Sequence, residues 1–175
     1  METLEAIHTR RSIRAFTPDP VPEDLLEQVL RAGAASASGG NVQAWGFVLV
    51  RRPERVAALR SLAPGIIGRP AAVIAICLDR DRALRLGGSA SEQFMWMDIG
   101  LATQSLHLAA HDLGLGACPI GSFHNPGVSA FLGLPPGVHP VLLLALGFPA
   151  IQPSSPGRRP LSEVCFDEEW GAPYE

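Results

Sequence analysis

The chain has 175 residues, of which 47% are hydrophobic, and a formal net charge of −3. This length and apolar content predict a single domain, residues 1–175, with a sizeable core. All 14 basic residues are arginine, which excludes Schiff-base chemistry on lysine and the lysine of a Walker A loop. The slightly acidic balance argues against nucleic acid as a partner, because nucleic-acid binding needs an extended basic surface.

Three further features bear on location. The cysteines Cys77, Cys118 and Cys165 are odd in number and far apart, so no disulfide framework is predicted. The first residues are charged and contain no apolar signal segment, and the longest apolar runs are much shorter than the roughly 20 residues that span a bilayer. We therefore expect a cytoplasmic protein that has no membrane partner.

The first part of the chain predicts two helices and a strand. Apolar residues at helical spacing predict a short helix over Glu2 to Thr9, with Leu4 and Ile7 facing the core. Proline and acidic residues then open a second helix, from Pro22 to about Gly33. A loop of small residues follows and leads into a strand at Phe47 to Val50.

The rest of the chain alternates helical and strand patterns. A near-continuous apolar run at residues 71–79 predicts a strand that is covered on both faces. The stretch after it, residues 79–88, is polar and is predicted to be mobile. The other predicted elements are a surface helix at 51–63, a long helix at 91–113, a short strand after Gly116, a helix at 125–132 and a strand at 139–147.

An arginine cluster, RRSIR at residues 10–14, is the most distinctive polar pattern. If a helical turn continues through it, Arg10 and Arg14 share one face with Ser12 nearby. Guanidinium groups bind phosphate through charge-assisted hydrogen bonds, which are roughly twice as strong as neutral ones. A solvated basic turn is the alternative for the cluster taken alone, whereas an anionic small-molecule ligand fits the composition of the whole chain.

Residues outside this cluster suggest three other chemistries. The segment GLGACPIG does not satisfy the GxGxxG pattern and follows a helix, so a Rossmann dinucleotide site is disfavoured. His107 and His111 with Cys118 and His124 leave a zinc site open, although structural histidines are favoured and no metal is predicted. Cys118 beside His124 leaves a nucleophile open, although a buried apolar role fits better.

Four segments in order along the chain together resemble the FMN-dependent nitroreductase family. They are RRSIRAF, SASGGNVQAWGFVLV, DIGLATQSLHLAAHDLGLGACPIGSF, and LGLPPGVHPVLLLALGFPA followed by GRRPLSEV. The resemblance implies an α+β fold with a central, mostly antiparallel sheet flanked by helices. It also implies a homodimer with FMN at the subunit interface.

The resemblance assigns roles residue by residue. Arg10, Ser12, Arg14 and Arg158 match positions that hold the FMN phosphate and ribityl chain, and Arg11 and Arg159 lie beside them. Ser38, Gly39 and Asn41 match a loop that reaches the flavin of the partner subunit. Pro119, Ile120, Gly121 and Ser122 match the segment over the flavin ring, where the backbone N–H of Gly121 or Ser122 is expected to face the hydride-accepting atom N5.

Two departures from the family pattern affect the expected site. The polar pair that contacts the pyrimidine end of the flavin in larger members is missing, which leaves Arg69 and Gln104 as candidates. Many members carry glutamate where this chain has Gly121, and the chain lacks room for the helices that cover the substrate in larger members. We expect a more open substrate face.

Two functions follow from the resemblance. The first is an FMN oxidoreductase in which NADH or NADPH reduces the flavin and an electrophilic small molecule, such as a nitroaromatic, quinone or enone, takes the electrons in a ping-pong cycle. No side-chain acid or base is required. The alternative is a flavin-binding protein without nicotinamide turnover, such as a flavin carrier or a flavin-cleaving or azoline-oxidising relative.

Overall fold

The computed structural model describes residues 1–174. Its helices are α1 (Thr3–Thr9), α2 (Glu23–Ala34), α3 (Pro53–Leu62), α4 (Arg80–Gly87), α5 (Ser91–Asp112) and α6 (Asn125–Leu132). Its strands are β1 (Trp45–Val50), β2 (Ala72–Asp79), β3 (Gly116–Ile120) and β4 (Val138–Gly147). Single 3₁₀ turns occur at Gly39–Asn41 and Leu161–Glu163.

The four strands form one sheet in the order β1-β2-β4-β3, and every neighbouring pair is antiparallel. β2 is buried along almost its whole length, so its alternating side chains serve both faces of the sheet. Ile74 and Ile76 pack with α2 and α5, whereas Val73 and Ala75 pack with α3 and α6. The predicted α+β fold, an antiparallel sheet flanked by helices, is confirmed.

The helix α5 organises the layer on one face of the sheet. Its 22 residues extend about 33 Å, and it packs against α2, α1 and strands of the sheet. Gly33 of α2 permits this packing, because a Cβ atom there would lie 2.6 Å from a methyl carbon of Leu106. Because of its length, α5 contacts elements from different parts of the chain, including α1, α2 and β3.

The structure adds one helix to the predicted elements and corrects one prediction about the core. Residues 80–87 form the helix α4, because the Asp79 carboxylate accepts a hydrogen bond from the Arg82 N–H at 2.8 Å and caps the first turn. Leu4 and Ile7 do not face the core of this chain, since their exposed fractions are 72% and 46%. Among the α1 residues only Ala6 is buried.

Within residues 1–174 no helix has both the length and the apolar character required to cross a bilayer.

Candidate functional site

An open groove with a volume of about 380 Å³ runs along the turn that follows α1. One wall is the RRSIR segment and the other is a loop of the C-terminal tail. The lining residues are Arg10, Arg11, Ser12, Arg14, Pro153, Ser154, Pro156 and Arg158. The structure therefore brings together all the residues assigned to the phosphate end of a flavin except Arg159.

The edge strand β3 determines how the arginines face this groove. Ser12 forms a parallel β-bridge with Ala117, and the Ile13 N–H donates to the Ala117 carbonyl at 2.9 Å. The segment is therefore extended, and no helical turn continues through it. Alternate residues of an extended chain share a side, so Arg10, Ser12 and Arg14 still lie together while Ile13 is buried.

Positive charge is concentrated around Arg10. Its partial burial, followed by the charges of Arg158 and Arg11, lowers the pKa of the Arg10 guanidinium from its ordinary value. The Arg10 Nε atom is also shielded from water and has no hydrogen-bond partner in the described residues. An anion in the groove would relieve the repulsion between these guanidiniums.

The arginines differ in how many of their hydrogen-bond donors already bond to groups of the protein. Arg11 donates to the carbonyls of His8 and Arg10, each at 2.9 Å, so its side chain satisfies carbonyl groups at the C-terminal end of α1. Arg158 donates only to neighbouring backbone carbonyls. Arg159 turns away from the groove to Glu163, with Nε 3.1 Å from Oε2. Arg158, rather than Arg159, is the C-terminal residue available to an anion.

His107 supports the cluster from behind. The ring lies on α5, is 2% exposed, and its Nε2 atom is 3.3 Å from the Arg11 carbonyl. Burial, followed by the charge of Arg10, lowers the pKa of His107 to about 4. The imidazole is therefore neutral at physiological pH, which avoids adding another cation behind the groove.

The end of β3 carries the residues that were assigned to the flavin ring. Pro119 and Ile120 lie in the strand, and the chain then emerges at the surface at Gly121 and Ser122. The N–H groups of Gly121 and Ser122 donate to no acceptor in the described part of the chain. Gly65 packs closely behind them, since a Cβ atom there would lie 2.6 Å from an Ile120 methyl carbon.

The loop with Ser38, Gly39 and Asn41 lies elsewhere. Gly39 and Gly40 of this loop line another cavity, of about 520 Å³, together with α4 and the N-terminal half of α5, whereas Ser38 and Asn41 are not among its lining residues. The Gly39 N–H donates to both carboxylate oxygens of Asp98, at 3.1 and 3.2 Å. Asp98 and His107 are nine residues apart, about 14 Å along the helix. One chain therefore does not place this loop in the arginine groove.

The chain matches the family model described as "Nitroreductase family" over residues 7–69 and 58–148. It belongs to the nitroreductase family. It is 34% identical to a protein of Methanothermobacter thermautotrophicus whose name joins NADH dehydrogenase and NAD(P)H nitroreductase, over 92% of this chain and 83% of that protein. A protein of Thermus thermophilus named NADH dehydrogenase is 30% identical, over 95% of this chain and 96% of that protein.

A solved structure agrees with this nitroreductase fold. The NADPH:FMN oxidoreductase of Vibrio harveyi in complex with NAD⁺ has a TM-score of 0.85 and 26% identity. The match covers 96% of this chain and 77% of that chain. The fold predicted from the four sequence segments is therefore also the fold of this solved structure.

Two residues expected at the pyrimidine end of the flavin are not in the arginine groove. Arg69 lines a separate cavity together with Thr17 and Arg60. Gln104 is exposed on α5, on the same side as Met97 and Leu101. Neither residue joins the groove within one nitroreductase chain.

The residues of the alternative chemistries have structural roles. In the described residues no three His, Cys, Asp or Glu side chains are grouped as metal ligands would be. The His111 ring bonds to the Thr9 hydroxyl at 2.8 Å, and His124 Nδ1 accepts from the Gly127 N–H at the start of α6. Burial raises the pKa of the Cys118 thiol, although Arg14 opposes the change. A thiol with a raised pKa is a poor nucleophile.

Sequence reasoning missed Asp98. It is a buried carboxylate, 6% exposed, whose hydrogen bonds hold the loop at Gly39. Its position inside a mostly apolar helical stretch was the available signal, because a buried carboxylate is rarely left without a partner.

Proposed function

We propose that this nitroreductase is an NAD(P)H-dependent flavin oxidoreductase that binds FMN. The convergence of Arg10, Arg14 and Arg158 on one groove is the observation that carries the proposal. The segments come from opposite ends of the chain, so local sequence does not explain their meeting. A surface groove with this much uncompensated positive charge is suited to a phosphate dianion.

The donors of the groove match the phosphate end of FMN. The exposed guanidinium of Arg14 has one long hydrogen bond, 3.5 Å, to the Ser12 carbonyl. Arg158 reaches only backbone carbonyls, and Arg10 keeps an unpartnered Nε. Three guanidiniums thus have donor capacity to spare, and the Ser12 side chain adds a neutral donor.

The segment after β3 is suited to the flavin ring. The exposed N–H groups of Gly121 and Ser122 are fixed donors, because Ile120 is anchored in the sheet and the Ser122 carbonyl accepts from the Gly65 N–H at 3.2 Å. Such preorganised donors stabilise negative charge that develops on a bound ring. The absence of a side chain at Gly121 leaves this face open to a second substrate.

We propose further that the site is completed in a homodimer. The α1 and α5 surfaces expose large apolar side chains that a monomer rarely leaves in water: Leu4, Ile7, Phe94, Trp96, Met97 and Leu101. Phe94, Met97 and Leu101 follow helical spacing on α5. A second copy on this surface would bring its loop at Ser38, Gly39 and Asn41 toward the groove that one chain leaves incomplete.

FMN held by Arg10, Arg14 and Arg158 and by the segment after β3 would supply hydride-transfer chemistry between NADH or NADPH and an electrophile such as a nitroaromatic, quinone or enone. The protein then contributes binding, orientation and fixed N–H donors, without a side-chain acid or base. The short chain leaves the substrate face open, which favours acceptors of varied shape.

The experiment is a spectrum followed by anaerobic mixing with NADH or NADPH. Purified protein is expected to carry the visible bands of FMN, and these should bleach with at least one nicotinamide and return on addition of a nitroaromatic or quinone. Protein that never retains flavin refutes the proposal. Bound flavin that neither nicotinamide bleaches would instead favour a flavin-binding protein without nicotinamide turnover.

A further inference from the structure

A third cavity, of about 660 Å³, begins two residues after Arg14 and shares no lining residue with the arginine groove. Its walls come from residues 16–20, the segment just before β2, and the helix α3 with Arg51 before it. This volume lies within the range of roughly 300 to 1,000 Å³ that small-molecule sites occupy. The cavity therefore has room for a ligand of its own.

Three arginines line this cavity, and two of them are uncompensated. Arg51 pairs with Glu23 at 2.8 Å. Arg60 and Arg69 have no carboxylate within ion-pair distance and donate no side-chain hydrogen bond in residues 1–174. The chain contains 17 acidic and 14 basic residues, so a shortage of carboxylates does not explain two unpaired guanidiniums at one cavity.

Two polar atoms at this cavity are also unsatisfied. The Nε atom of Arg60 and the Oγ1 atom of Thr17 are both shielded from water and lack hydrogen-bond partners in the described residues. Both atoms are almost inaccessible although the cavity is open, so they lie beneath its surface; they make this wall polar but are not themselves contacts for a ligand. Here both atoms belong to residues that line the same cavity.

The remaining wall is apolar. Phe16, Val56 and Ala57 line it together with prolines of the neighbouring turns. An anionic group next to the guanidiniums and an apolar body against Phe16 would satisfy both kinds of surface. A free inorganic anion would leave the apolar wall in contact with water, and a neutral apolar molecule would leave the guanidiniums unpaired.

We infer that this cavity, here named the α3 cavity, binds a small organic anion: one carboxylate or phosphate group on an aromatic or aliphatic body. Arg60 and Arg69 contact the anionic group, and Phe16 with Val56 contacts the body. The site is separate from the arginine groove and does not depend on flavin chemistry.

The test is isothermal titration calorimetry of the protein loaded with FMN and then freed of unbound FMN, so that the arginine groove is occupied and free FMN, itself a phosphate on an aromatic body, does not compete for the α3 cavity. The probes are phenyl phosphate, benzoate, phenol and inorganic phosphate. At least one of the aryl anions is expected to bind about tenfold or more tightly than phenol and inorganic phosphate, the scale of one charge-assisted hydrogen bond. Which aryl anion binds more tightly identifies the anionic group.

Two variants locate the binding. Arg60→Gln is expected to weaken the aryl anion about tenfold or more, whereas Arg85→Gln, an exposed residue of α4 without an ion pair, should leave it unchanged. Equal binding by wild type and Arg60→Gln, tight binding of phenol, or no binding of either aryl anion overturns the inference. If Arg60→Gln does not fold, Arg69→Gln replaces it. A wild-type affinity for the aryl anion that does not change with salt concentration also counts against the site.

Discussion

Replacing Arg158 by alanine tests whether the C-terminal tail supplies a cation to the phosphate. Arg158 is exposed and donates only to the Pro156 and Gly157 carbonyls, at 3.1 Å each, so its loss leaves no buried partner and should change the free energy of unfolding by less than about 0.5 kcal/mol. One charge-assisted hydrogen bond contributes about 1.5 to 3 kcal/mol. We expect the Kd for FMN to rise about 10- to 150-fold.

The assay is a titration of apoprotein with FMN and with riboflavin, followed by quenching of flavin fluorescence. Riboflavin lacks the phosphate, so its affinity should be the same for wild type and Arg158→Ala. Arg159→Ala is the matched control, because Arg159 faces Glu163 rather than the groove. FMN affinity within threefold of wild type, or an equal loss of FMN and riboflavin affinity, would refute the role of Arg158 in phosphate binding.

Four other predictions address the loop, the ring segment, the interface and pH. Asp98→Ala removes the acceptor for the Gly39 N–H and should cost about 1 to 3 kcal/mol of stability, measured by urea unfolding, whereas Asp98→Asn should lose less. Gly65→Ala places a Cβ atom 2.6 Å from Ile120. It should lower the molar ratio of bound flavin to protein below that of wild type at temperatures where its melting curve shows that the variant is still folded. Leu101→Glu puts charge on the exposed apolar face and should convert a dimer into monomers in sedimentation experiments. His107 has its pKa lowered to about 4 by burial, so the unfolded state binds more protons as pH falls from 6.5 to 4; stability should drop over that range by on the order of 3 kcal/mol, and His107→Gln should flatten the drop.

For three of these predictions, a different result has a specific meaning. Unchanged stability of Asp98→Ala would mean that the loop at Gly39 holds its conformation without the carboxylate. A monomeric wild-type protein would remove the basis for Leu101→Glu and for a shared site. Equal pH slopes for wild type and His107→Gln would place the acid sensitivity in other groups.

The spacing of apolar residues along the sequence predicted most of the fold. The apolar run at residues 71–79 predicted the central strand, and the long segment with helical periodicity predicted α5. Both patterns are longer than the runs of apolar residues expected by chance. The arginine cluster and the glycine-containing segments indicated the family and the anionic ligand. These signals are local, so the amino-acid order alone carries them.

Tertiary structure decided what each polar residue faces. The bridge between Ser12 and Ala117 aligns the arginines through extended rather than helical geometry. Contacts between distant segments likewise bring Arg158 to the groove, place Arg69 in the α3 cavity, and join Asp98 to the loop at Gly39. The reason is physical: a side chain's charge and hydrogen-bonding capacity can be read from its identity, whereas its partner is chosen by packing between segments far apart in the chain.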